Sequence, residues 1–399
     1  MKLLLESWRE YNTPLLSEVI DPEIIDKIEL AIVSAGGESY IVGGAVRDEL
    51  LPDTPPSKDI DFLVRGLPLE DLITTLTPLG KVVPAANIFG TVTLYVGADS
   101  FDFALPRKEK SWGPGHRDYT IVADHTATVE SDLGRRDFTM NALAKDSEDN
   151  IVDMFGGMED IQNKVIRAVG DPLSRFREDP LRMLRAIQFA VRFGFGIEPN
   201  TAAAMGKYAS KLSSVTRERV LKELTKAWTK GDGDSEHLVA LLRVTGIGEE
   251  LFGPSFRPIP IKLEGSTEEE LILGNFISFF LRGGNANRLP LSREMKTYLQ
   301  LAKSAVSGAA PTEYAAKHRD KLPFLIKVLS ALGGYTEEVE TAQEALKYPL
   351  TPEELHITGR DIMQLGYQGP DIGNIQKYLL QAVQNDEVEN NYNDLREYI

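Results

Sequence analysis

Residues 40–64 read YIVGGAVRDELLPDTPPSKDIDFLV, and this stretch decides the fold. Residues 40–42 form a short apolar run that predicts a strand, and residues 45–51 predict a helix. Gly43 and Gly44 lie between the two elements. Glycine lets backbone N–H groups come close to a ligand, and the start of a helix carries a positive dipole end. The turn is therefore predicted to bind phosphate.

A second strand is predicted over residues 58–64, where alternation puts Asp59 and Asp61 on one face. Two carboxylates on one strand face repel each other unless a cation lies between them. Mg²⁺ suits this arrangement because it takes carboxylates and triphosphate oxygens together. A lone Asp-x-Asp pattern also fits a solvated strand edge, but the adjacent Gly-Gly turn and Arg47 favour the metal site.

A third carboxylate lies on another alternating strand, predicted over residues 100–105, where Asp102 stands between two phenylalanines. Asp102 would complete a two-metal site, in which one ion activates an attacking hydroxyl and the other holds the triphosphate. The alternative is that Asp102 is a solvent-facing strand residue.

Residues 133–144 hold a double-arginine motif with Arg135, Arg136, Asp137 and Asn141. Adjacent arginines cannot share one face of a regular element. One of them is therefore expected to bind triphosphate, while the other pairs internally, for example with Asp137.

A helix is predicted to begin at residue 180, with Asp179 as its N-cap and Pro180 in its first position. Arg182, Arg185 and Arg192 would share one face of this helix and form a basic stripe available to a nucleotide. The opposite face would pack into the core through Leu184, Ile187 and Val191.

Taken together, these motifs resemble the class II tRNA nucleotidyltransferase and bacterial poly(A) polymerase family of the polymerase β superfamily. The resemblance covers about residues 40–228, with a weaker match at residues 357–373. It implies that Asp59, Asp61 and Asp102 are the catalytic metal ligands. The nucleotide-binding residues that it implies are Gly43, Gly44, Arg47, Arg135, Arg136, Asp137, Asn141, Asp179, Arg182 and Arg185.

In this family a Glu-Asp-x-x-Arg motif, here Glu178, Asp179 and Arg182, acts as a protein template for the incoming base. The chemistry is consistent, since a carboxylate accepts from the exocyclic amine of C or A and a guanidinium donates to ring acceptors. A second interpretation is that Asp179 only caps its helix. The chain departs from some relatives at Gln188, where they carry a basic residue.

The composition excludes several classes of protein. The chain has 399 residues, 42% of them hydrophobic, which predicts two or three domains with a sizeable core. Without cysteine there is no disulfide framework and no thiolate metal site. No run is long enough for a membrane span or a signal peptide, so a cytoplasmic location is expected.

Charge is distributed unevenly along the chain. The net charge is −16, yet residues 161–230 hold 14 Lys and Arg against 6 Asp and Glu. Such a segment predicts a confined site for a polyanion. Ordinary solvated helix faces would give the same count.

The predicted fold class is α+β. A nucleotidyltransferase head with a small mixed β-sheet and helices would span residues 1–160, and a helical neck that recognises the base would span residues 161–233. A helical body and tail that bind tRNA would span residues 234–399. Residues 106–132 resemble the flexible loop of the family, and the predicted helices further on include residues 268–281, after a Ser266–Glu269 capping box, and residues 374–383.

The predicted function is the addition of C, C and A to the 3′ end of tRNA from CTP and ATP, by a Mg²⁺-dependent monomeric enzyme. Enzymes that add poly(A), only CC or only A remain alternatives within the family. A glycosyltransferase would not explain the arginine motifs, and a non-catalytic RNA-binding protein would be expected to lack one of the three carboxylates.

Overall fold

The computed structural model describes residues 22–52, 54, 57, 59–84, 90–111, 119–229, 235–307, 318–349 and 351–399. By its internal contacts the chain divides into two compact units. One unit extends to Ala227 and also includes Leu241–Leu251; the other comprises Trp228–Ala240 and Phe252–Ile399. The predicted division into head, neck and body remains a prediction.

A seven-stranded mixed sheet forms the centre of the first unit, in the order β3-β4-β5-β2-β1-β8-β9. Only β2 and β5 are parallel neighbours, while every other adjacent pair in this sheet is antiparallel. This confirms the predicted mixed sheet. The strands are β1 Glu38–Val42, β2 Ile60–Arg65, β3 Lys81–Pro84, β4 Thr91–Val96, β5 Asp99–Ala104, β8 Leu143–Asp146 and β9 Ile151–Asp153.

Alternation along β2 and β5 separates the core face of the sheet from its polar face. Phe62, Phe101 and Phe103 are fully buried, and the rings of Phe62 and Phe103 stack with centroids 4.9 Å apart. Asp61 and Asp102 point to the opposite, exposed face. Burial of the phenylalanines therefore fixes the register that presents the two carboxylates together.

Short helices surround this sheet: α1 Pro22–Ser34, α2 Gly44–Leu50, α3 Leu69–Leu76, α4 Val129–Leu133 and α5 Gly157–Gln162. Residues 106–132, expected to resemble the flexible loop of the family, include regular strands. Strands β6 Arg107–Ser111 and β7 Tyr119–Ala123 pair as an antiparallel ribbon. The β-branched run Thr120-Ile121-Val122 favours a strand, and the neighbouring charges obscured that signal.

The rest of the first unit is mainly helical, with α6 Pro172–Glu178, α7 Leu181–Phe193, α8 Pro199–Tyr208 and α9 Arg217–Trp228, whose last residue belongs to the second unit. Two-residue strands β10 Val165–Ile166 and β11 Gly196–Ile197 pair in parallel and interrupt the predicted all-helical neck. Helix α7 begins one residue later than expected. Its predicted core residues are all buried, namely Leu184, Ile187 and Val191.

The second unit is helical over the residues that the structure describes there, following α10 Glu236–Val244 and α11 Ile247–Phe252, which are shared between the units. Its own helices are α12 Glu268–Phe280, α13 Arg293–Val306, α14 Leu322–Leu332, α15 Thr336–Lys347, α16 Gly359–Gln364, α17 Pro370–Gln384 and α18 Tyr392–Tyr398.

Two boundaries in this unit differ from the expectation. The capping box of α12 is formed by Thr267 and Glu270 rather than by Ser266 and Glu269, because both pairs have the required spacing and only the helix register selects one. Helix α17 already begins at Pro370, a residue suited to a first helical position. Among the described residues, no helix is long and apolar enough to span a bilayer.

Gly157 tests the close packing of the start of α5 against the backbone at Thr139. A Cβ at Gly157 would lie 2.3 Å from the carbonyl oxygen of Thr139. Gly157→Ala is therefore expected to lower the free energy of unfolding by about 1–3 kcal/mol, the usual cost of overpacking. Gly196→Ala is the matched control, because nothing lies within 4 Å of a Cβ there. Urea unfolding followed by circular dichroism measures both, and equal stability of the two variants would contradict the assigned contact.

Candidate active site

The three predicted metal ligands lie on strands β2 and β5 or directly beside them. Asp61 and Asp102 are direct partners in the parallel register, and Asp59 immediately precedes β2. The Thr93 hydroxyl donates a hydrogen bond of 2.6 Å to Oδ1 of Asp102 and so orients that carboxylate. The sheet therefore presents two adjacent carboxylates on its polar face, with a third two residues away along the chain.

The surroundings of Asp61 disfavour the charged form of its carboxylate. Loss of hydration raises the pKa of Asp61, and the carboxylates of Asp102 and Asp59 raise it further, while Arg136 opposes the shift. A hard divalent cation takes carboxylate oxygens and would relieve this repulsion, so the donor set fits such an ion. In the described part of the chain, however, no three His, Cys, Asp or Glu side chains are gathered into a preformed metal cluster.

The Gly-Gly turn lies beside these carboxylates, because Val42 is the register partner of Asp61 and Gly43 follows it. Gly43 has φ +76°, a left-handed conformation that favours glycine. A Cβ at this position would lie 2.6 Å from Nη1 of Arg136. Gly43 therefore permits both the turn and the close approach of a guanidinium, and Gly44 begins α2 next to it.

Arg47, predicted to bind the triphosphate, is almost fully enclosed, with 4% of its surface exposed. Its Nε donates to Oδ1 of Asp48 at 2.7 Å, and its Nη1 donates to Oδ1 of Asn141 at 2.6 Å. The guanidinium carbon lies 4.8 Å from the ring centroid of Phe193. Arg47 is thus held beneath the Gly-Gly turn, and its contact with a triphosphate remains a prediction.

Asp137 is a buried acceptor with three donors. It accepts from the backbone N–H of Phe138, from Nδ2 of Asn141 at 3.0 Å and from Nε of Arg185 at 2.7 Å. Burial alone would raise the pKa of Asp137, but Arg185 and the other donors lower it below its usual value. The internal partner of Asp137 is therefore Arg185, so the suggested pairing with a neighbouring arginine is wrong.

Both arginines of the double-arginine motif instead share Asp132, which sequence reasoning missed. Nε of Arg135 donates to Oδ1 of Asp132 at 2.8 Å, and Nη2 of Arg136 lies 3.5 Å from Oδ2. Asp132 is fully buried. Asp132 stands three residues before Arg135 and four before Arg136, which is the spacing of ion pairs on a helix. This spacing was the signal in the sequence for the shared pairing.

The predicted base-reading pair lies where α6 ends and α7 begins. Oδ1 of Asp179 accepts from the backbone N–H of Leu181 at 3.0 Å, so Asp179 satisfies one backbone donor at the start of this helix, although Pro180 and not Asp179 stands at the N-cap position. Nη1 of Arg182 donates to Oε2 of Glu178 at 2.7 Å, and its Nη2 donates to the carbonyl of Arg135 at 2.9 Å. Arg182 therefore connects the helix start to the double-arginine motif.

The predicted basic stripe on α7 is largely neutralised within the protein. Arg182 faces Glu178, Arg185 faces Asp137, and Nη2 of Arg192 lies 3.6 Å from Oδ2 of Asp48. Gln188 is buried with 4% exposure. The expectation of a free cationic face for the nucleotide is corrected accordingly, because the nearby Glu178 and the more distant Asp137 and Asp48 already pair with these arginines.

Comparison with known proteins agrees with this geometry. Residues 39–167 match the family described as Poly A polymerase head domain, and residues 194–259 match the one described as probable RNA and SrmB-binding site of polymerase A. The chain is 32% identical to the CCA-adding enzyme of Levilactobacillus brevis over 366 residues. This match covers 86% of this chain and 89% of that protein. The chain belongs to the CCA-adding enzyme family.

Further members of the CCA-adding enzyme family are similar over most of their length. The CCA-adding enzyme of Geobacillus sp. is 30% identical, over 91% of this chain and 93% of that protein. Among solved structures, the Bacillus stearothermophilus CCA-adding enzyme in complex with CTP has 25% identity and a TM-score of 0.63, covering 94% and 96% of the two chains. The Thermotoga maritima CCA-adding enzyme complexed with tRNA has 22% identity and a TM-score of 0.67, which supports the fold.

The Asp137–Arg185 pair predicts a pH-dependent stability difference. Asp137→Asn should lower the free energy of unfolding at pH 7 by about 3 kcal/mol, because it leaves Arg185 without its buried partner. Because the folded pKa of Asp137 is lowered, its contribution is present above the ordinary aspartate pKa and disappears as the pH falls through the folded value. Urea unfolding at pH 7 and in acid should thus show the gap to wild type closing.

Asp149→Asn provides the control for this measurement, since the Asp149 side chain is 87% exposed in its ion pair with Lys145. We expect this variant to match wild type at both pH values. A gap between wild type and Asp137→Asn that is independent of pH would contradict the assigned pairing.

We expect Asp61 to affect stability in the opposite direction to Asp137. Its folded pKa is raised, so ionisation of Asp61 at neutral pH opposes folding. In chelator, Asp61→Asn should therefore unfold at a higher urea concentration than wild type. In a separate assay with Mg²⁺, the same variant should lose most nucleotide incorporation. Thr93→Val removes only the hydrogen bond to Asp102, and it is compared with Asp61→Asn in both measurements. A folded Asp61→Asn enzyme with near-normal incorporation would refute the catalytic assignment.

Proposed function

We propose that this enzyme adds C, C and A to the 3′ end of tRNA without a nucleic-acid template, using CTP and ATP and releasing diphosphate. Membership of the CCA-adding enzyme family supports the reaction class. The observation that carries the proposal is the register pairing of Asp61 with Asp102 beside the Gly43 turn. A reacting 3′ hydroxyl and an α-phosphate would meet at this edge of the sheet.

Mg²⁺ is the proposed metal, and Asp59, Asp61 and Asp102 would hold it. When bound, it would lower the pKa of the attacking hydroxyl and neutralise phosphate charge. The chain itself contributes the sheet register that presents the carboxylates and the Thr93 hydroxyl that orients Asp102.

The triphosphate would lie against the Gly43-Gly44 turn, where backbone N–H groups and Arg136 provide donors. Arg136 has a side chain that is 22% exposed and lies next to Gly43, so we assign it the direct contact. Arg135 shares Asp132 and supports Arg136 in this position. Arg47, Asn141 and Asp137 would act from beneath the turn and hold it in shape.

Base selection is assigned to Asp179 and Arg182. Both side chains are partly exposed at the start of α7, 33% and 17% respectively. The exocyclic amine of C or A would donate a hydrogen bond to the Asp179 carboxylate. U and G carry a carbonyl at that position and would leave Asp179 unpaired. Residues 1–160 would then perform catalysis, residues 161–233 would select the base, and residues 234–399 would bind tRNA.

The length of the product tests this function directly. Purified enzyme supplied with tRNA lacking its 3′ end, Mg²⁺, CTP and ATP should extend it by three nucleotides and stop. A sequencing gel resolves the products, and reactions without ATP should stop after two additions. Long A tails would indicate a poly(A) polymerase, arrest after CC a CC-adding enzyme, and extension only of tRNA ending in CC an A-adding enzyme.

A further inference from the structure

The Asp179 carboxylate, which we assign to base recognition, already has a cationic partner. Its Oδ2 accepts a hydrogen bond of 2.9 Å from Nη2 of Arg219 on α9, while Oδ1 accepts from the backbone N–H of Leu181. The Arg219 side chain is 51% exposed and that of Asp179 is 33% exposed. Ion pairs with such exposure are weak and can be exchanged. An incoming base amine must therefore compete with Arg219 for this oxygen.

A second carboxylate lies one helical turn further along α9. Glu223 is 5% exposed, and its Oε1 accepts from Nζ of Lys226 at 3.1 Å. Its Oε2 is buried and has no hydrogen-bond partner among the residues that the structure describes. Because a buried carboxylate oxygen without a donor is costly, Oε2 is an acceptor whose partner is missing in this state.

Arg219 is the cation placed to reach that acceptor. Residues four apart on a helix are neighbours, with Cβ atoms about 5–6 Å apart. Arg185 also lies within electrostatic reach of Glu223 and of Asp179, but its Nε and Nη2 are already directed at Asp137. Arg219 thus pairs with Asp179 and lies one helical turn from Glu223, whose Oε2 has no donor among the described residues.

We propose that Arg219 and Glu223 form a partner-exchange pair that controls Asp179. Without nucleotide, Arg219 holds Asp179. When the exocyclic amine of C or A donates to Oδ2 of Asp179, Arg219 turns to Oε2 of Glu223 and remains paired with a carboxylate. U and G present a carbonyl there, which cannot take the place of the guanidinium as a donor, so the exchange adds to base selection.

Arg219 and Glu223 are positioning residues in this proposal, since they act through Asp179 and do not touch the nucleotide. The proposal rests on the base-reading role of Asp179 given above. It predicts that losing Glu223 as an alternative acceptor strengthens the competition of Arg219 against the base. It also predicts that losing Arg219 removes that competition altogether.

The test compares KM and kcat for CTP and ATP in Glu223→Gln, Arg219→Met and the double variant, each with tRNA primers ending at the appropriate nucleotide. Glu223→Gln should raise both KM values by about threefold to fivefold with kcat retained, the effect of one exposed ion pair in competition with the base. Arg219→Met should leave KM unchanged or lower. The double variant should return to the KM of Arg219→Met, because Arg219 is then no longer present to compete with the base.

Glu218→Gln, which removes an exposed carboxylate from the same helix, is the matched control and should leave KM unchanged. An unchanged KM in Glu223→Gln, an additive rise in the double variant, or a threefold rise in Arg219→Met would each overturn the exchange. If Glu223→Gln fails to fold in urea titrations, Arg219→Met decides alone, since that position is exposed. Failure of wild type to add CCA would instead overturn the proposed function.

Discussion

A chain of buried hydrogen-bonded charges holds the first unit together at its active edge. Asp48 pairs with Arg47, Arg47 donates to Asn141, Asn141 donates to Asp137, and Asp137 pairs with Arg185. The rings of Phe189 and Phe193 cover these guanidinium groups. Buried charges are tolerated only when every partner is present, so the helix after the Gly-Gly turn, the turn at residues 139–141 and α7 must keep one relative arrangement. The Gly-Gly turn and the start of α7, to which we assign phosphate binding and base selection, are thereby positioned relative to each other.

Satisfying these charges internally limits what remains for substrate. The enclosed groups shape the site, whereas in the function that we propose contact with the nucleotide falls to groups that keep some exposure. These are the carboxylates of Asp61 and Asp102, the N–H groups of the turn, Arg136, and the pair Asp179 and Arg182. Asp61 in particular is held against its own electrostatic preference, as its raised pKa shows. Such strain at a reaction centre is expected where a protein binds a cation or phosphate that offsets it.

Two kinds of ion pair therefore serve different purposes here. The pair between Asp137 and Arg185 has a largely buried carboxylate and fixes geometry. The pair between Asp179 and Arg219 is exposed and weak, which suits the recognition of two different bases in turn that we propose for Asp179. An enzyme that selects C and then A needs a rigid frame around an adjustable acceptor, and the burial of these pairs provides that difference.

The local patterns along the chain determined much of this protein. Alternation predicted the strands that carry Asp61 and Asp102, and the two glycines predicted the turn between a strand and a helix. Helical periodicity predicted the buried face of α7. These features could be predicted because they depend on neighbours within a few residues. The partners of the charged side chains could not be derived in this way. Arg185 meets Asp137 across 48 positions, Arg219 meets Asp179 across 40, and Arg47 meets Asn141 across 94. Only the packing of the helices on the sheet brings such residues within hydrogen-bond distance, so the tertiary structure alone decided which charges are internal and which remain for the substrate.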